Sequence, residues 1–278
     1  MFYKFLIIIF VFFISNNSIS KNCYKEDYVN FVSDIIGCVA VNFHLEKSAT
    51  TNLTNKEKLI VFIHGDKLDS KNIYFEKFAS KFISKNSIVV SITRPGWTNI
   101  KNHKSGGKKN ISNGDNYVPK QDVDPIYRVI KKLKKKYKTK DTIVIGHSGG
   151  AAITGILFGR FKKLIDSAIL ISCPCIVPAW RKNYFNAVLK NSREKICIPK
   201  FKSHSPHEYI KKINPKLNIY IFVGTQDKNT LPIFSIKYHE LLIKNQKKSE
   251  LFLMDGGHMN ILDNLELENS IKKIIEIS

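Results

Sequence analysis

Short apolar runs alternate along the chain with longer segments in which apolar residues recur every three or four positions. The short runs are rich in β-branched and aromatic residues, which is typical of buried strands. They predict strands at 39–44, 58–63, 87–92, 143–145, 167–172, 218–223 and 250–254. The longer segments between them have the spacing of amphipathic helices.

The helical segments follow the strands one by one. They are predicted at 70–84, 122–137, from the turn after 145 to about 161, at 206–213, at 233–243 and at the end of the chain. Strands that alternate with amphipathic helices predict a mostly parallel central sheet with helices on both faces, which is an α/β fold. We expect a single domain over 21–278.

Two stretches interrupt this alternation. Residues 173–203 have no clear period and are interpreted as a small cap inserted into the domain. The segment 99–117 is rich in glycine, asparagine and lysine, and it is long for a connection within a compact domain. Loops of this length are usually functional or mobile, and whether this one closes over the site is left open.

The first twenty residues differ from the rest of the chain. Lys4 precedes an unbroken apolar run over 5–14, polar residues follow at 15–17, and small residues stand at Ser18 and Ser20. This is the layout of a secretory signal peptide, over 1–20, with cleavage after Ser20. The run is shorter than the ~20 residues that a membrane-spanning helix needs. We therefore expect an exported protein, periplasmic or secreted, without a stable membrane span; an uncleaved anchor is the alternative.

The cysteines all follow the predicted signal peptide, at Cys23, Cys38, Cys173, Cys175 and Cys197. In an exported protein they are candidates for disulfides, and an odd number leaves at least one without an intramolecular partner. A local bridge between Cys23 and Cys38 is one hypothesis. Cys197 is a candidate partner of Cys173 or Cys175. The Cys-Pro-Cys spacing is too tight for the usual zinc hairpin, so we expect no metal site there.

The formal net charge is +22, and lysine contributes most of it. One interpretation is a surface that binds a polyanion or an anionic membrane. The other, which we favour, is a compositional bias whose lysines lie on solvated helix faces. The lysine clusters lack interleaved stacking aromatics and no nucleic-acid-binding motif is present, so no nucleic-acid partner is expected.

A Gly-x-Ser-x-Gly pattern occupies 146–150, directly between a predicted strand and a predicted helix. Glycines two residues before and after the serine permit a sharp turn, because side chains there would collide. Such a turn presents Ser148 at the carboxyl edge of the sheet. Alone the pattern is common, but in this position it indicates a nucleophile.

Three further polar residues follow predicted strands: His64, Asp227 and His258. The carboxyl ends of the strands form the ligand-binding edge of an open α/β sheet. A serine hydroxyl needs a base to take its proton, and a neutral imidazole is suited to this role. A carboxylate can hold that imidazole in the required tautomer. The chain order of serine, acid and histidine is the order used by one large group of enzymes.

On these residues the sequence resembles the α/β-hydrolase superfamily over nearly its whole length after the signal peptide. The resemblance implies that Ser148 is the nucleophile, Asp227 the acid and His258 the base. It also implies that the backbone amides of Asp66 and Gly149 form the oxyanion hole. No metal or cofactor is needed by this chemistry. The acidic side chain of Asp66 departs from the small residue expected there, so we expect only its amide to face the reacting oxygen.

Other roles for these residues remain open. Asp227 is also suited to cap the following helix, and Asp255 is a rival acid. His64 and Trp180 are candidate substrate contacts, although each can instead be structural.

Three more neighbours are weighed in the same way. His147 either lines the pocket or packs, and packing is favoured. Arg94 and Arg181 can bind a substrate carboxylate, although structural salt bridges are the favoured alternative.

The sequence thus predicts an exported serine hydrolase that cleaves a small-molecule ester through an acyl-enzyme. A serine peptidase with the same fold, acting on a peptide, is the first alternative. A non-catalytic binding protein with a basic surface is the second.

Overall fold

The computed structural model describes residues 23, 25–45, 53, 56–66, 73–110, 118, 120–183 and 203–278. The predicted signal peptide at 1–20 lies outside the described residues, and so do Cys197 and most of the predicted cap. These predictions therefore stay predictions.

An eight-stranded sheet forms the centre of the described structure. Its strands are β1 (Phe31–Asp34), β2 (Gly37–His44), β3 (Lys58–Ile63), β4 (Ser87–Ile92), β5 (Asp141–His147), β6 (Ser167–Ile171), β7 (Asn218–Gly224) and β8 (Ser249–Met254). The spatial order is β1-β2-β4-β3-β5-β6-β7-β8. From β4 to β8 every neighbouring pair is parallel, whereas β2 pairs antiparallel with both β1 and β4.

Helices cover both faces of the sheet. They are α1 (Ile73–Ser80), α2 (Lys120–Tyr137), α3 (Gly149–Arg160), α4 (Pro232–Lys244) and α5 (Leu265–Ile277), with 3₁₀-helices at Pro206–Lys212 and Asn260–Asp263. The apolar residues of α2, α3 and α4 pack in one core cluster, and those of α1 and α5 pack in another. Successive residues of a strand point to opposite faces, so Val61 and Phe62 of β3 belong to different clusters.

The predicted mostly parallel α/β sheet is confirmed, and each predicted strand lies within two residues of an observed one. The strand β1, which pairs with β2 through a tight turn, was not predicted. Only Val32 of this short strand is buried, so the run has too little apolar pattern to stand out. The predicted helix at 206–213 is a 3₁₀-helix, with a capping box between Ser205 and Glu208.

The order of the strands reverses at β3. The chain passes from β3 to β4 on one side and then returns to β5 on the other side. Ligands bind open α/β sheets at such a switch point, outside the carboxyl ends of the strands. The segment 64–66 follows β3 and Ser148 follows β5. The topology therefore brings these two segments together.

Two disulfides are present in the described residues, Cys23–Cys38 and Cys173–Cys175. The local bridge between Cys23 and Cys38 agrees with the prediction. The pairing of Cys197 with Cys173 or Cys175 does not, because the latter two cysteines are bonded to each other. The Cα atoms of Cys173 and Cys175 lie 5.1 Å apart, on either side of Pro174.

The described part of the long loop is tied to the domain. Thr98 forms an isolated antiparallel bridge with Lys104, and the amide of Gly106 donates to the carbonyl of Cys38. The loop therefore begins as a closed hairpin packed beside β2. Its continuation over 111–117 lies outside the described residues, and whether it closes over the site is not tested. None of the helices in the described ranges is both long and apolar enough to span a bilayer.

Candidate active site

Ser148 stands at a sharp turn between β5 and α3. Its backbone has φ 52° and ψ −120°, a sparsely populated region that costs about 1–3 kcal/mol for a residue with a side chain. The flanking glycines make this turn possible. A Cβ on Gly146 would lie 2.4 Å from the carbonyl oxygen of Gly150, and one on Gly150 would lie 2.0 Å from that of Ile63. Side chains at either position would push the strand and the helix apart.

A continuous chain of hydrogen bonds runs from this serine to an acid. Ser148 Oγ lies 3.0 Å from His258 Nε2, and His258 Nδ1 lies 2.9 Å from Asp227 Oδ2. His258 follows β8 and Asp227 follows β7, so both come from the same sheet edge as the serine. The Asp227 side chain is buried, whereas that of His258 is 15% exposed. The structure brings together the three residues that the sequence singled out.

The oxyanion loop after β3 touches the serine directly. A Cβ on Gly65 would lie 2.8 Å from Ser148 Cβ, so this position must lack a side chain. Asp66, whose amide is a predicted oxyanion donor, is the next residue of this loop. Gly149 is the first residue of α3, and the amides of a first helical turn have no partner within the helix. Gly149 directly follows Ser148 and Asp66 directly follows Gly65, and the oxyanion hole formed by their two amides stays a prediction.

Solved structures with the same arrangement of strands and helices support the assignment of the fold. An esterase of Pyrococcus furiosus is 15% identical, with a TM-score of 0.61 over 86% of this chain and 85% of that one. Est1E from Butyrivibrio proteoclasticus, solved with ferulic acid, is 16% identical, with a TM-score of 0.61 over 85% and 94%. Uncomplexed acylaminoacyl peptidase from Pyrococcus horikoshii is 15% identical, with a TM-score of 0.57 over 86% and 39%. The chain has the α/β-hydrolase fold.

Sequence comparison adds nothing to this assignment. No protein-family model matches the chain, and no curated protein matches it. The likeness is therefore one of fold, and the chemistry of the site has to be argued from this chain's own residues.

Asp227, the candidate acid, has two separate sets of contacts. Asp227 Oδ1 accepts hydrogen bonds from the amides of Asn229 and Thr230, which closes the turn after β7. The helix cap weighed from the sequence is wrong, because the N-cap of α4 is Leu231. Asp227 Oδ2 faces His258 and also accepts from Thr230 Oγ1 at 2.7 Å. Burial would raise the pKa of Asp227, but hydrogen bonds from His258 and Thr230 outweigh it and hold the pKa below its ordinary value. Closing this turn and binding His258 are therefore compatible roles.

Thr230 is a site residue that the sequence analysis missed. Its hydroxyl lies between Asp227 Oδ2, His258 Nδ1 and the carbonyl oxygen of Ser172 at the end of β6. It therefore joins the acid to the base and to a neighbouring strand end. A threonine three residues after an aspartate is an ordinary capping pattern, so no sequence signal distinguished it.

The Asp66 carboxylate is neutralised inside the protein. It forms an ion pair with Arg94, whose side chain is fully buried and also lies 3.3 Å from Asp122 Oδ2. Burial raises the pKa of Asp122 to about 6, although the Arg94 charge and the Asn110 amide oppose this shift. For Arg94 the structural ion-pair alternative therefore describes the structure better than a substrate contact. The expected conflict between the Asp66 charge and an oxyanion is reduced by this partner.

His64 and Trp180, the two candidate substrate contacts, use their polar atoms within the protein. His64 Nε2 accepts from the Arg94 amide and its Nδ1 donates to the Gly65 carbonyl. Burial and the Arg94 charge lower the pKa of His64 to about 3. Trp180 is buried, and its Nε1 donates to the carbonyl of Asn229 in the acid-bearing loop. These positions favour the structural alternative for both residues.

Asp255, the rival acid, does not contact His258. Asp255 is exposed and its Oδ1 accepts from Gln226 Nε2 at 2.8 Å, whereas His258 binds Asp227.

Beside the base, a groove of about 490 Å³ runs between α1 and the 3₁₀-helix at Asn260–Asp263. Met259, the residue after His258, lines it together with Tyr74 and Leu262. This concavity is a candidate for the part of the substrate that lies on the His258 side.

Proposed function

We propose that the chain is a serine hydrolase that cleaves an ester by way of an acyl-enzyme. The hydrogen-bonded chain Ser148–His258–Asp227 at the switch point of the sheet carries this proposal. A serine alone is a weak nucleophile, but here its hydroxyl contacts an imidazole that a buried carboxylate orients. The solved esterases and the peptidase with the same fold add support.

In the first half-reaction Ser148 Oγ attacks the carbonyl carbon of the ester while His258 Nε2 takes its proton. The carbonyl oxygen becomes an oxyanion between the amides of Gly149 and Asp66, and each such donor typically contributes about 3 kcal/mol. Asp227 stabilises the imidazolium of His258 without taking its proton. The carbon–oxygen bond to the alcohol then breaks, and His258 donates its proton to the leaving alcohol.

In the second half-reaction water replaces the alcohol. His258 Nε2 takes a proton from this water as its oxygen attacks the acyl carbon, and the same two amides hold the new oxyanion. The bond to Ser148 Oγ breaks and the serine regains its proton from His258. The acid product leaves, and the site returns to its starting state.

The site fits this chemistry electrostatically. The negative charge of Asp66, next to the oxyanion, is paired with Arg94, and Arg94 is shared with Asp122. In our proposal the Asp66 amide acts on the substrate and its side chain anchors the loop to β4.

Ester cleavage is our choice within the hydrolase class, and peptide cleavage is the alternative. The preference comes from the sequence, in which a small cap follows β6 and no separate substrate-gating domain is predicted. The Pyrococcus furiosus esterase and acylaminoacyl peptidase share the fold, so the fold is compatible with both substrates. We further propose export, on the basis of the sequence at 1–20 alone.

The test is to treat the mature chain with a fluorophosphonate and locate the adduct by mass spectrometry. We expect labelling of Ser148 in the wild type, loss of labelling in Ser148→Ala, and strongly slowed labelling in His258→Ala. Asp255→Asn is the control, because its side chain faces Gln226. A folded wild-type protein that forms no adduct would overturn the proposal. The ratio of kcat/KM for acyl esters to that for aminoacyl amides then distinguishes esterase from peptidase.

One observation favours the binding-protein alternative. A groove of about 590 Å³ lies between α2 and the turn after α3, at the opposite edge of the sheet from Ser148. Its lining consists of lysines and apolar side chains: Lys131, Lys134, Lys135, Lys162, Lys163, Tyr127, Phe161 and Leu164. Tyr127 and Phe161 stack with ring centroids 3.7 Å apart. Basic and aromatic groups together are suited to an anionic ligand.

The two functions are distinguished by one comparison. A polyanion-binding protein would bind heparin with an affinity that falls steeply with salt, and Lys131→Gln with Lys135→Gln would weaken binding more than Lys237→Gln with Lys244→Gln on α4. A hydrolase is labelled at Ser148 by the fluorophosphonate at every salt concentration. Tight, groove-dependent binding without labelling would put the binding function first.

A further inference from the structure

His147, next to the proposed nucleophile, is almost completely buried at 1% exposure. Its Nε2 lies 2.9 Å from the backbone carbonyl oxygen of His258. A carbonyl can only accept a hydrogen bond, so Nε2 carries the ring proton and Nδ1 has a lone pair. The two imidazole rings also lie close together, with centroids 5.0 Å apart. His147 thus holds the backbone of the residue whose side chain is the proposed base.

Tyr74, on α1, contacts the other side of the same ring. Its hydroxyl lies 3.4 Å from His147 Nδ1 and accepts a hydrogen bond from the Gly65 amide at 3.1 Å. Because Nδ1 is an acceptor here, the tyrosine hydroxyl donates to it. The hydrogen bonds therefore all run in one direction: the Gly65 amide donates to the Tyr74 hydroxyl, the hydroxyl to His147 Nδ1, and His147 Nε2–H to the His258 carbonyl.

The ring of His147 stays in the required form. Burial and the neighbouring His258 lower the pKa of His147 to about 3. The neutral tautomer, with one donor and one acceptor, is therefore kept across the pH range in which esters are hydrolysed enzymatically. A doubly protonated ring would present a donor to the Tyr74 hydroxyl and break the direction of the series.

We propose that Tyr74 and His147 are positioning residues that couple the oxyanion loop to the loop of the general base. The series begins at Gly65, whose backbone touches Ser148, and it ends at His258, whose side chain touches Ser148. A shift of either loop relative to the other stretches hydrogen bonds in this series. The proposal rests on the hydrolase function proposed above, and neither residue contacts the reacting atoms.

Substitutions at position 147 distinguish a positioning role of the His147 hydrogen bonds from a role in packing alone. In His147→Gln the side-chain amide nitrogen reaches about as far from Cβ as Nε2 does, so it can still donate to the His258 carbonyl. In His147→Asn the amide reaches only the place of Nδ1, so the contact with Tyr74 is kept and the contact with His258 is lost. Tyr74→Phe removes one hydroxyl and both of its contacts in the series. Tyr137→Phe is the matched control, since its hydroxyl donates to the Tyr28 carbonyl at 2.8 Å, far from the site.

The experiment measures fluorophosphonate labelling rates, kcat and KM for p-nitrophenyl butyrate, and thermal unfolding of the full mature chain. We expect His147→Asn and Tyr74→Phe to lower kcat by about tenfold or more with little change in KM, because a misplacement of about 1 Å can cost about a hundredfold. His147→Gln keeps the donor to the His258 carbonyl but not the acceptor for Tyr74, so it should recover part of this loss. Tyr137→Phe should keep the wild-type rate.

A second readout is independent of substrate. The low-field proton NMR resonance of His258 Nδ1–H, bonded to Asp227, should weaken or move in His147→Asn and return in His147→Gln. Wild-type rates in Tyr74→Phe and His147→Asn, or a glutamine variant no better than asparagine, would overturn the positioning proposal. A wild type that is not labelled would refute the hydrolase function instead, and the resonance would still decide the role of His147.

Discussion

Gly65 offers the sharpest test of how the oxyanion loop and the nucleophile are arranged. The perturbation is Gly65→Ala, which adds one Cβ. That atom would lie 2.8 Å from Ser148 Cβ and 3.0 Å from the carbonyl oxygen of His147. The φ of Gly65 is not positive, in contrast to that of Gly96 or Gly256, so the alanine backbone is unstrained. The substitution therefore acts through this contact.

The magnitude follows from the distance. Ordinary carbon contacts begin at 3.4 Å, so the two Cβ atoms must separate by about 0.6 Å to reach normal packing. One of them belongs to the nucleophile and the other to the loop that carries the Asp66 amide. A displacement of this size should lower kcat/KM by about 10- to 100-fold, or about 1.4–2.7 kcal/mol of transition-state stabilisation. Overpacking should lower the free energy of unfolding by about 1–3 kcal/mol.

The assay needs a control with the same clash at another place. Gly155→Ala supplies it, because its Cβ would lie 2.8 Å from Pro206 Cβ, two turns along α3 from Ser148. We expect both variants to lose stability in urea unfolding. Only Gly65→Ala should lose ester hydrolysis and slow the labelling of Ser148.

Two results would refute this reasoning. One is a Gly65→Ala protein that keeps wild-type kcat/KM and labelling rate. The other is an equal loss of activity in Gly155→Ala, which would mean that general destabilisation, rather than the geometry at Ser148, sets the rate.

Three further predictions concern the acids and a disulfide. Asp227→Asn should lower kcat by about 10⁴-fold, as expected when the base loses the acid that sets its tautomer, whereas Asp255→Asn should keep it; equal losses in ester assays would contradict the assignment of the acid. The pKa of Asp122 is raised to about 6 from 3.8, so its stabilising contribution is complete below about pH 4 and is lost as the pH rises through about 6. That loss amounts to about 3 kcal/mol of unfolding free energy. Urea unfolding of Asp122→Asn should show no such loss between about pH 4 and about pH 7. If the variant and the wild type lose the same stability over this range, the raised pKa of Asp122 is contradicted. The Cys23–Cys38 bridge closes a loop with a sequence separation of 15, so the double alanine variant should lose about 3 kcal/mol of unfolding free energy, and calorimetry showing no loss would indicate that this terminus does not contribute to stability.

The proposed catalytic residues could be found from the sequence because their signals are local. The glycines around Ser148 are required by the turn itself, and the strand before it is visible in its β-branched residues. Asp227 and His258 were found for a related reason: in a parallel sheet the end of each strand lies at the same edge, so a polar residue after an apolar run has a known place.

The residues that only the structure placed depend on segments far apart in the chain. Asp122 lies on α2 and Asp66 follows β3, yet both meet Arg94, at the end of β4. No spacing in the sequence indicates that these charges are buried together, because their desolvation comes from packing of whole helices and strands. The sequence therefore favours a structural salt bridge for Arg94 but does not name its partners.

The sequence by itself determined the α/β alternation, the turn at Ser148 and the three side chains gathered at one sheet edge. These properties follow from apolar period and from backbone sterics, which act within a few residues. Only the tertiary structure decided which polar atoms are already used, such as both nitrogens of His64, and which hydroxyls connect one loop to another, such as those of Tyr74 and Thr230. Hydrogen bonds of that kind need distances of about 3 Å, and such distances between remote residues exist only once the core has packed.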